Sequence, residues 1–335
     1  MDRRTALNNI RGFDHRLLKS WRQHVPKDAA VLMAVSGGVD SLVMADFLWR
    51  WQRLLRLELV VAHVHHGRMR GRQGTFRNQA AKVVFDFARR RKLPFWSNTQ
   101  WRGLKLVGVQ SSKKRLKSEA DFRDFRWDLL RQWQIKWQQT YDRPIFIATA
   151  HSADDQIETQ LIRLLRGTGP DGLRAMTMRD QDLLRPLLQE PKSTLLSVAK
   201  KQRLKWKEDP SNHEGEQLRS WLRQNWLGPL RSKWPEALPT MARSLVQLLE
   251  AVPPRPRLKV DSKKRLGRQQ LLSLSRPEQR RILAQYFRQL GLTNYSLAHL
   301  EELLRRLDTG RKEHTFKLLG HMCMITTEWI ALRPE

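Results

Sequence analysis

Apolar positions fall into short unbroken runs that alternate with longer stripes of helical period. Residues 29–35 (AAVLMAV) form one such run, of strand length, and predict a strand buried on both faces. It leads straight into the polar hexapeptide SGGVDS, and 41–55 then reads as a helix. Residues 57–64 (LELVVAHV) predict a second buried strand, followed by a polar, glycine-containing stretch and a helix through 85–91. A short strand is expected at 95–97, helical periodicity spans 119–141, and 144–150 (PIFIATA) predicts another buried strand. A helix at 154–166, with Ile157, Leu161, Leu164 and Leu165 as its apolar stripe, closes on GTGPDG. Strands alternating with helices predict a parallel sheet covered on both faces.

After Gly172 the pattern changes. Residues 192–204, 213–226 and 236–250 read as helices, and Pro253-Pro254-Arg255-Pro256 reads as a rigid linker. Ser275-Arg276-Pro277-Glu278 has the spacing of a capping box and predicts a helix to about 290. Another helix is expected at 296–307, then strands at 315–319 and 322–327 turning at Gly320. No internal repeat is visible. The expected architecture is an α/β domain with a parallel sheet over 1–215, then a helical and small basic α+β region over 216–335.

Charge narrows the class of partner. The 335 residues carry 63 Lys+Arg against 33 Asp+Glu, a formal charge of +30, and 40% hydrophobic content supports a packed core. Residues 226–335 carry +10 and residues 1–225 carry +20, so the charge is spread over both regions and is not a basic tail. That distribution points to a polyanion, with nucleic acid ahead of an anionic membrane. The single cysteine, Cys323, rules out a disulfide framework, a CxxC pair and a multi-cysteine zinc site. It lies in an apolar run and reads as a core residue. No segment has the length and hydropathy of a membrane span or a secretion signal, so a cytoplasmic protein is expected.

Three segments carry candidate chemistry. In Ser36-Gly37-Gly38-Val39-Asp40-Ser41, placed between a strand and a helix, glycines and the helix N-terminus can direct N–H groups at phosphate oxygens. Asp40 would repel bare phosphate, which suggests a bridging Mg²⁺. An ordinary glycine turn is the competing reading; the buried strand before it favours the phosphate loop. In the second segment His151 and Asp154 fall at the end of a predicted parallel strand, where open α/β sheets bind ligands. Asp155 and Glu158, three apart, share one helix face near Thr159 and Arg166. Paired acids there can coordinate Mg²⁺, hold a cationic substrate, or cap the helix against its dipole. In the third segment Glu119, Arg123 and Arg126 form one charged stripe, by itself most simply a solvated helix face. Lys113-Lys114-Arg115, just upstream, is a phosphate-contacting loop or a solvated one.

Together these segments resemble the tRNA(Ile)-lysidine synthetase family of PP-loop ATP pyrophosphatases. SGGVDS is similar to the PP-loop, His63-Val64-His65-His66-Gly67 to the second-strand motif, and 119–127 to the family's E-x-x-A-R-x-x-R-Y helix. Residues 149–176 follow the family signature almost throughout, and Arg185-Pro186-Leu187-Leu188, Glu208-Asp209-Pro210-Ser211-Asn212 and 219–223 match downstream motifs. His65 stands where the family usually has Asp, Phe122 where a small residue is usual, Trp127 for Tyr and Ser220 for Asn. The resemblance implies adenylation by ATP of the C2 oxygen of the wobble cytidine in a CAU-anticodon isoleucine tRNA. Attack by L-lysine then gives lysidine, AMP and pyrophosphate. It implies ATP contacts at Ser36, Gly37, Gly38, Val39, Asp40, Ser41 and His63, and lysine contacts at Asp155 and Glu158. Catalytic roles fall to Asp40, His151, Asp154 and Arg123, and Mg²⁺ to Asp40 and Asp154. Glu119, Arg126, Arg163, Arg166, Arg219 and Arg223 would meet tRNA. A PP-loop tRNA thiolase and a non-catalytic tRNA-binding protein are the rivals; the single cysteine argues against the first and the intact motifs against the second.

Overall fold

The computed structural model describes residues 3–66, 71–98, 119–174, 176–208, 218–251, 260–292, 294–309 and 313–334. Gly67, Lys113–Arg115, Asp209–Asn212 and Pro253–Pro256 lie outside the described residues. The chain divides into two compact units: Met1–Glu158 with Met176–Ala242, and Thr159–Ala175 with Arg243–Glu335. The boundary expected at 215/216 from sequence falls inside the first unit.

The first unit runs α1 (Arg3–His24), β1 (Ala30–Ala34), α2 (Val39–Leu55), β2 (Glu58–His63), α3 (Gly71–Arg90), β3 (Phe95–Ser97), α4 (Glu119–Gln138), β4 (Ile145–Ala148) and α5 (Ala153–Leu165). Then come a short α6 (Pro170–Leu173), β5 (Arg179–Asp180), β6 (Leu183–Leu184), α7 (Lys192–Lys201), α8 (Leu218–Leu222), a π-helical turn (Arg223–Leu227), α9 (Gly228–Lys233) and α10 (Ala237–Glu250). The division between units falls within α5 and α10, and places α6 in the second unit.

The sheet order is β3-β2-β1-β4-β6-β5, with β1 parallel to both β2 and β4 and only β5 antiparallel to its neighbour. The expected α/β domain with a parallel sheet is therefore present. Alternation along β1 explains its unbroken apolar run. Val31 and Met33 join a core with Phe13, Leu17 and Trp21 of α1 and with residues of α2, α3 and α7. Ala30 and Leu32 join a second core with Leu129, Leu130, Trp133 and Trp137 of α4 on the opposite face. A strand sandwiched this way has no polar face to show. The chain steps from β1 to β2 and β3 on one side, then returns to β4 on the other. The carboxyl ends of β1 and β4 thus flank a topological switch point, where α/β sheets bind ligands.

The second unit contains β7 (Leu266–Gly267), α11 (Arg268–Leu272), α12 (Arg276–Gln289), α13 (Leu297–Asp308), β8 (His314–Leu318), β9 (His321–Ile325) and β10 (Trp329–Pro334). Its antiparallel sheet, β7-β10-β9-β8, shares one core with α12 and α13. The capping box is formed: Ser275 and Glu278 close the N-terminus of α12 reciprocally. Cys323 is fully buried, and burial pushes its thiol up to about 12, which makes it an inert core residue. Among the described residues no helix is long and apolar enough to cross a membrane.

Candidate active site

The loop after β1 is shaped by its own hydroxyls. Gly37 N–H donates to Ser41 Oγ at 3.3 Å and Gly38 N–H to Ser36 Oγ at 3.3 Å. Ser41 Oγ donates to the Gly38 carbonyl at 2.8 Å, and the two serine hydroxyls lie 3.2 Å apart. Gly37 has φ +95°, and a Cβ there would meet Ala80 of α3 at 3.0 Å, so only glycine fits without movement. Gly38, the N-cap of α2, makes no side-chain cap. The leading N–H groups of a 17-residue helix, at Val39, Asp40 and Ser41, therefore lack intrahelical partners and stand at its positive end, a ready anion site.

Asp40 emerges from this loop paired with Lys192, at the start of α7. Burial raises its carboxyl above the usual range, partly offset by Lys192. Its Oδ1 is buried with no hydrogen-bond partner among the described residues. Lys192 also donates its N–H to Asp154 Oδ2 at 2.7 Å, which ties the glycine loop to the acidic start of α5 in one site.

Each acid of α5 has a distinct position. Asp154 is bound on both oxygens: Oδ2 accepts the Lys192 N–H at 2.7 Å, and Oδ1 pairs with Arg231. It fastens the N-terminus of α7 and α9 to α5. Asp155 Oδ2 accepts from Ser152 N–H and Oγ at 2.9 and 2.8 Å, a capping box, while Oδ1 faces Arg223 Nη2 at 3.1 Å. Burial pushes the Asp155 carboxyl up, but the Ser152 hydrogen bonds and Arg223 bring it below its ordinary value. Capping and charge recognition, alternatives in the sequence, coexist on this side chain. Glu158 is 2% exposed and takes Arg223 Nε at 2.5 Å and Nη2 at 2.9 Å; Arg219 Nε lies 3.4 Å away. Burial raises the Glu158 carboxyl against the pull of Arg223.

Histidines line the same end of the sheet. His63 Nδ1 donates to the Val35 carbonyl at 2.8 Å, and burial lowers its pKa to about 4. His151 lies 3.0 Å from Thr149 Oγ1; burial lowers it to about 4, with Asp155, Arg185, Arg126 and Arg219 near enough to act on it. Both rings are neutral at pH 7. His65 is tied to the fold, its N–H donating to Asn98 Oδ1 at 2.7 Å and its Nε2 lying 3.2 Å from Asn78 Oδ1. Phe122 touches His66 edge-to-face at 5.2 Å and lies under the Arg77 guanidinium at 5.0 Å, a packing role for the bulky residue at that position.

Of the residues expected to meet tRNA, Arg219 and Arg223 lie around the acid pair. Arg126 is near enough for its charge to act on His151, and no acidic side chain pairs with it among the described residues. Arg123, one turn earlier on α4, is exposed, and Glu119 begins the helix. Arg163 belongs to the second unit and holds the carbonyls of Gly172 and Arg174 at 2.8 and 3.2 Å; Arg166, exposed, ends the same segment. Leu164 and Leu165, expected in the buried stripe of α5, are 43% and 56% exposed; Ile157 and Leu161 are buried. Lys192 and Arg231 were not singled out by sequence. They lie 152 and 77 residues from the acids they pair with, and no local pattern marks either.

The chain matches the family model of a PP-loop domain over residues 11–230 and that of a TilS substrate binding domain over 266–319. It is 32% identical over 326 residues to a tRNA(Ile)-lysidine synthase of Bdellovibrio bacteriovorus, covering 96% of both chains. A tRNA(Ile)-lysidine synthase of Xanthomonas axonopodis pv. citri is 33% identical over 219 residues, 64% of this chain and 45% of that protein, so the chain matches about half of that longer relative. Among solved structures, the U34-tRNA thiolase NcsA of Methanococcus maripaludis with its [4Fe-4S] cluster superposes with a TM-score of 0.55. At 17% identity, over 86% of this chain and 90% of that one, the likeness is one of fold.

Proposed function

Because the chain belongs to the tRNA(Ile)-lysidine synthase family, we propose that it joins L-lysine to the wobble cytidine of a CAU-anticodon isoleucine tRNA at the cost of ATP. The observation that carries the reading is one site in which an open helix N-terminus and a buried pair of carboxylates face the same switch point.

The chemistry follows from what each group can hold. The C2 oxygen of cytidine is a poor leaving group; attack of that oxygen on the α-phosphorus of ATP turns it into AMP, which leaves readily. Pyrophosphate departs in the first step, and the N–H groups of Val39, Asp40 and Ser41 are placed to take its charge. Lys192 adds a positive charge at the same loop. Asp40, with one buried oxygen lacking a partner, fits a single carboxylate ligand to Mg²⁺, which supplies charge neutralisation to the phosphates when bound. Asp154 has both oxygens engaged and holds the frame. Asp155 and Glu158 bind the ammonium of lysine. The side-chain amine in its deprotonated form attacks C2, the C2–O bond breaks, AMP leaves, and the amine's extra proton passes to solvent. His151, neutral and held with Nδ1 3.0 Å from Thr149 Oγ1, stands at the site for the adenylation step. Arg123 and Arg126 supply positive charge for the nucleotide or tRNA phosphates. Basic surface on both units grips the tRNA, so binding weakens with salt.

The products test the reading. Incubation with ATP, Mg²⁺, lysine and a CAU-anticodon isoleucine tRNA transcript should release AMP and pyrophosphate in equal amounts, with no ADP. Release that proceeds without tRNA, or that yields ADP, would refute it.

A further inference from the structure

The acids of the site each face one of the protein's own cations: Asp40 faces Lys192, Asp154 faces Arg231, and Asp155 with Glu158 faces Arg223. The last pairing differs from the others in where its cation comes from. Arg223 opens the π-helical turn Arg223–Leu227, in which Gly228 N–H donates to the Arg223 carbonyl and Pro229 follows with no N–H to offer. A Cβ at Gly228 would come within 2.9 Å of that carbonyl, so the wide turn depends on glycine. The acids and the cation are also unequally anchored. The Glu158 side chain is 2% exposed and the Arg223 side chain 41%. Asp155 is further pinned by the Ser152 cap. The carboxylates are the buried partners, and the guanidinium, bonded to both, is the one that reaches solvent.

Resting on the lysine-binding reading above, we propose that Arg223 is a displaceable internal counter-ion. It occupies the Asp155–Glu158 pair in the unliganded enzyme, and the ammonium of the amino-acid substrate takes its place. Two buried carboxylates facing only Arg219, 3.4 Å from Glu158, would be costly, and the resident Arg223 guanidinium lowers that cost while the site is empty. Binding is then an exchange of one cation for another. The same logic couples the two substrates. Lys192 bonds Asp40 of the phosphate loop through its ammonium and Asp154 of α5 through its N–H, and Arg223 lies on the next acid of that helix, so a bound polyphosphate stabilises the guanidinium once it is released. ATP therefore favours the state in which the acid pair is open to lysine, and by linkage lysine favours ATP.

Calorimetric titration of the full chain with cadaverine, a probe bearing the amine and no carboxylate, and with L-lysine tests this. Each is measured with and without Mg²⁺ and the α,β-methylene analogue of ATP, whose α–β bridge is not cleaved. In the wild type the analogue should tighten cadaverine binding roughly tenfold, within the usual range of coupling between sites. Arg223→Gln should bind cadaverine roughly tenfold more tightly than wild type without the analogue, and the analogue's effect should vanish. Weaker cadaverine binding by a folded Arg223→Gln protein, or coupling left intact, would overturn the proposal. Should Arg223→Gln fail to melt cooperatively, Arg223→Lys, which keeps the charge and loses the fork, is read the same way: tighter amine binding supports displacement, weaker binding overturns it. Glu158→Gln separates this proposal from the reading beneath it. If wild type and Glu158→Gln bind both amines equally, or neither binds, the acid pair is not the lysine site and both ideas fall. If Glu158→Gln alone loses binding while Arg223→Gln gains none, only the counter-ion proposal falls.

Discussion

The two glycines of SGG look interchangeable in the sequence, yet they should respond differently to the same methyl group. At Gly37 the backbone has φ +95°, a conformation that costs an L-residue about 1–3 kcal/mol. The added Cβ would also stand 3.0 Å from both Cβ and carbonyl oxygen of Ala80, and overpacking against α3 adds about 1–3 kcal/mol. Gly37→Ala should therefore lose about 2–6 kcal/mol of stability, or escape by moving the loop and breaking the 3.0 Å bond from Lys207 N–H to the Gly37 carbonyl. Gly38 has φ −76°, and its Cβ would find only Ser36 Oγ at 3.5 Å, an ordinary contact. Gly38→Ala should leave stability unchanged or raise it by up to about 1 kcal/mol, while its methyl, placed at the helix N-terminus, weakens ATP binding. Urea unfolding with equilibrium ATP binding on both variants reads the contrast. A Gly37→Ala protein as stable as wild type, or equal losses in the two variants, would refute the assignment of strain to the first glycine.

The buried histidines should make stability fall in mild acid. His63 has its folded pKa lowered from 6.5 to about 4, so as pH drops below 6.5 the unfolded chain takes the proton first. Its contribution is intact above about pH 6.5 and lost between there and about pH 4. At pH 5 the loss is about 2 kcal/mol, and His63→Gln should flatten the profile in urea titrations at pH 7.5 and 5. Lys192→Met leaves the half-buried Asp40 carboxylate without its cation and should cost about 1–3 kcal/mol; the double variant with Asp40→Asn should recover most of it in a double-mutant cycle. Trp133→Ala empties a fully buried site on the α4 face of the sheet and should cost about 3–5 kcal/mol by urea unfolding.

Much of this molecule is legible in its sequence, for identifiable reasons. Strands β1, β2 and β4 are covered on both faces, so their apolar runs stand out; the capping box of α12 is a four-residue pattern and is formed as expected. The first helix, α1, buries one stripe through Phe13, Leu17 and Trp21, but the polar and basic residues that dominate between them mask it in the sequence. Strand β10 (Trp329–Pro334) holds an apolar run of only four residues, Trp329 to Leu332, too short to separate a strand from a turn of helix. In the site, the loop and the acids are local motifs and were readable; their cations were not. Lys192 and Arg231 reach the acids through the tertiary fold, and nothing local in a strongly basic chain tells that Arg219 and Arg223 lie around Glu158. A charge pattern records the sign of a partner, not which of two anions meets it.

The most direct measurement is incorporation of radiolabelled lysine into a purified CAU-anticodon isoleucine tRNA transcript, with ATP and Mg²⁺, for wild type beside Asp40→Ala and Glu158→Ala. Label that depends on ATP and is lost in both variants is the outcome expected if the phosphate loop and the acid pair form one site for lysidine synthesis. A folded wild type that binds the tRNA and incorporates no lysine would contradict that account.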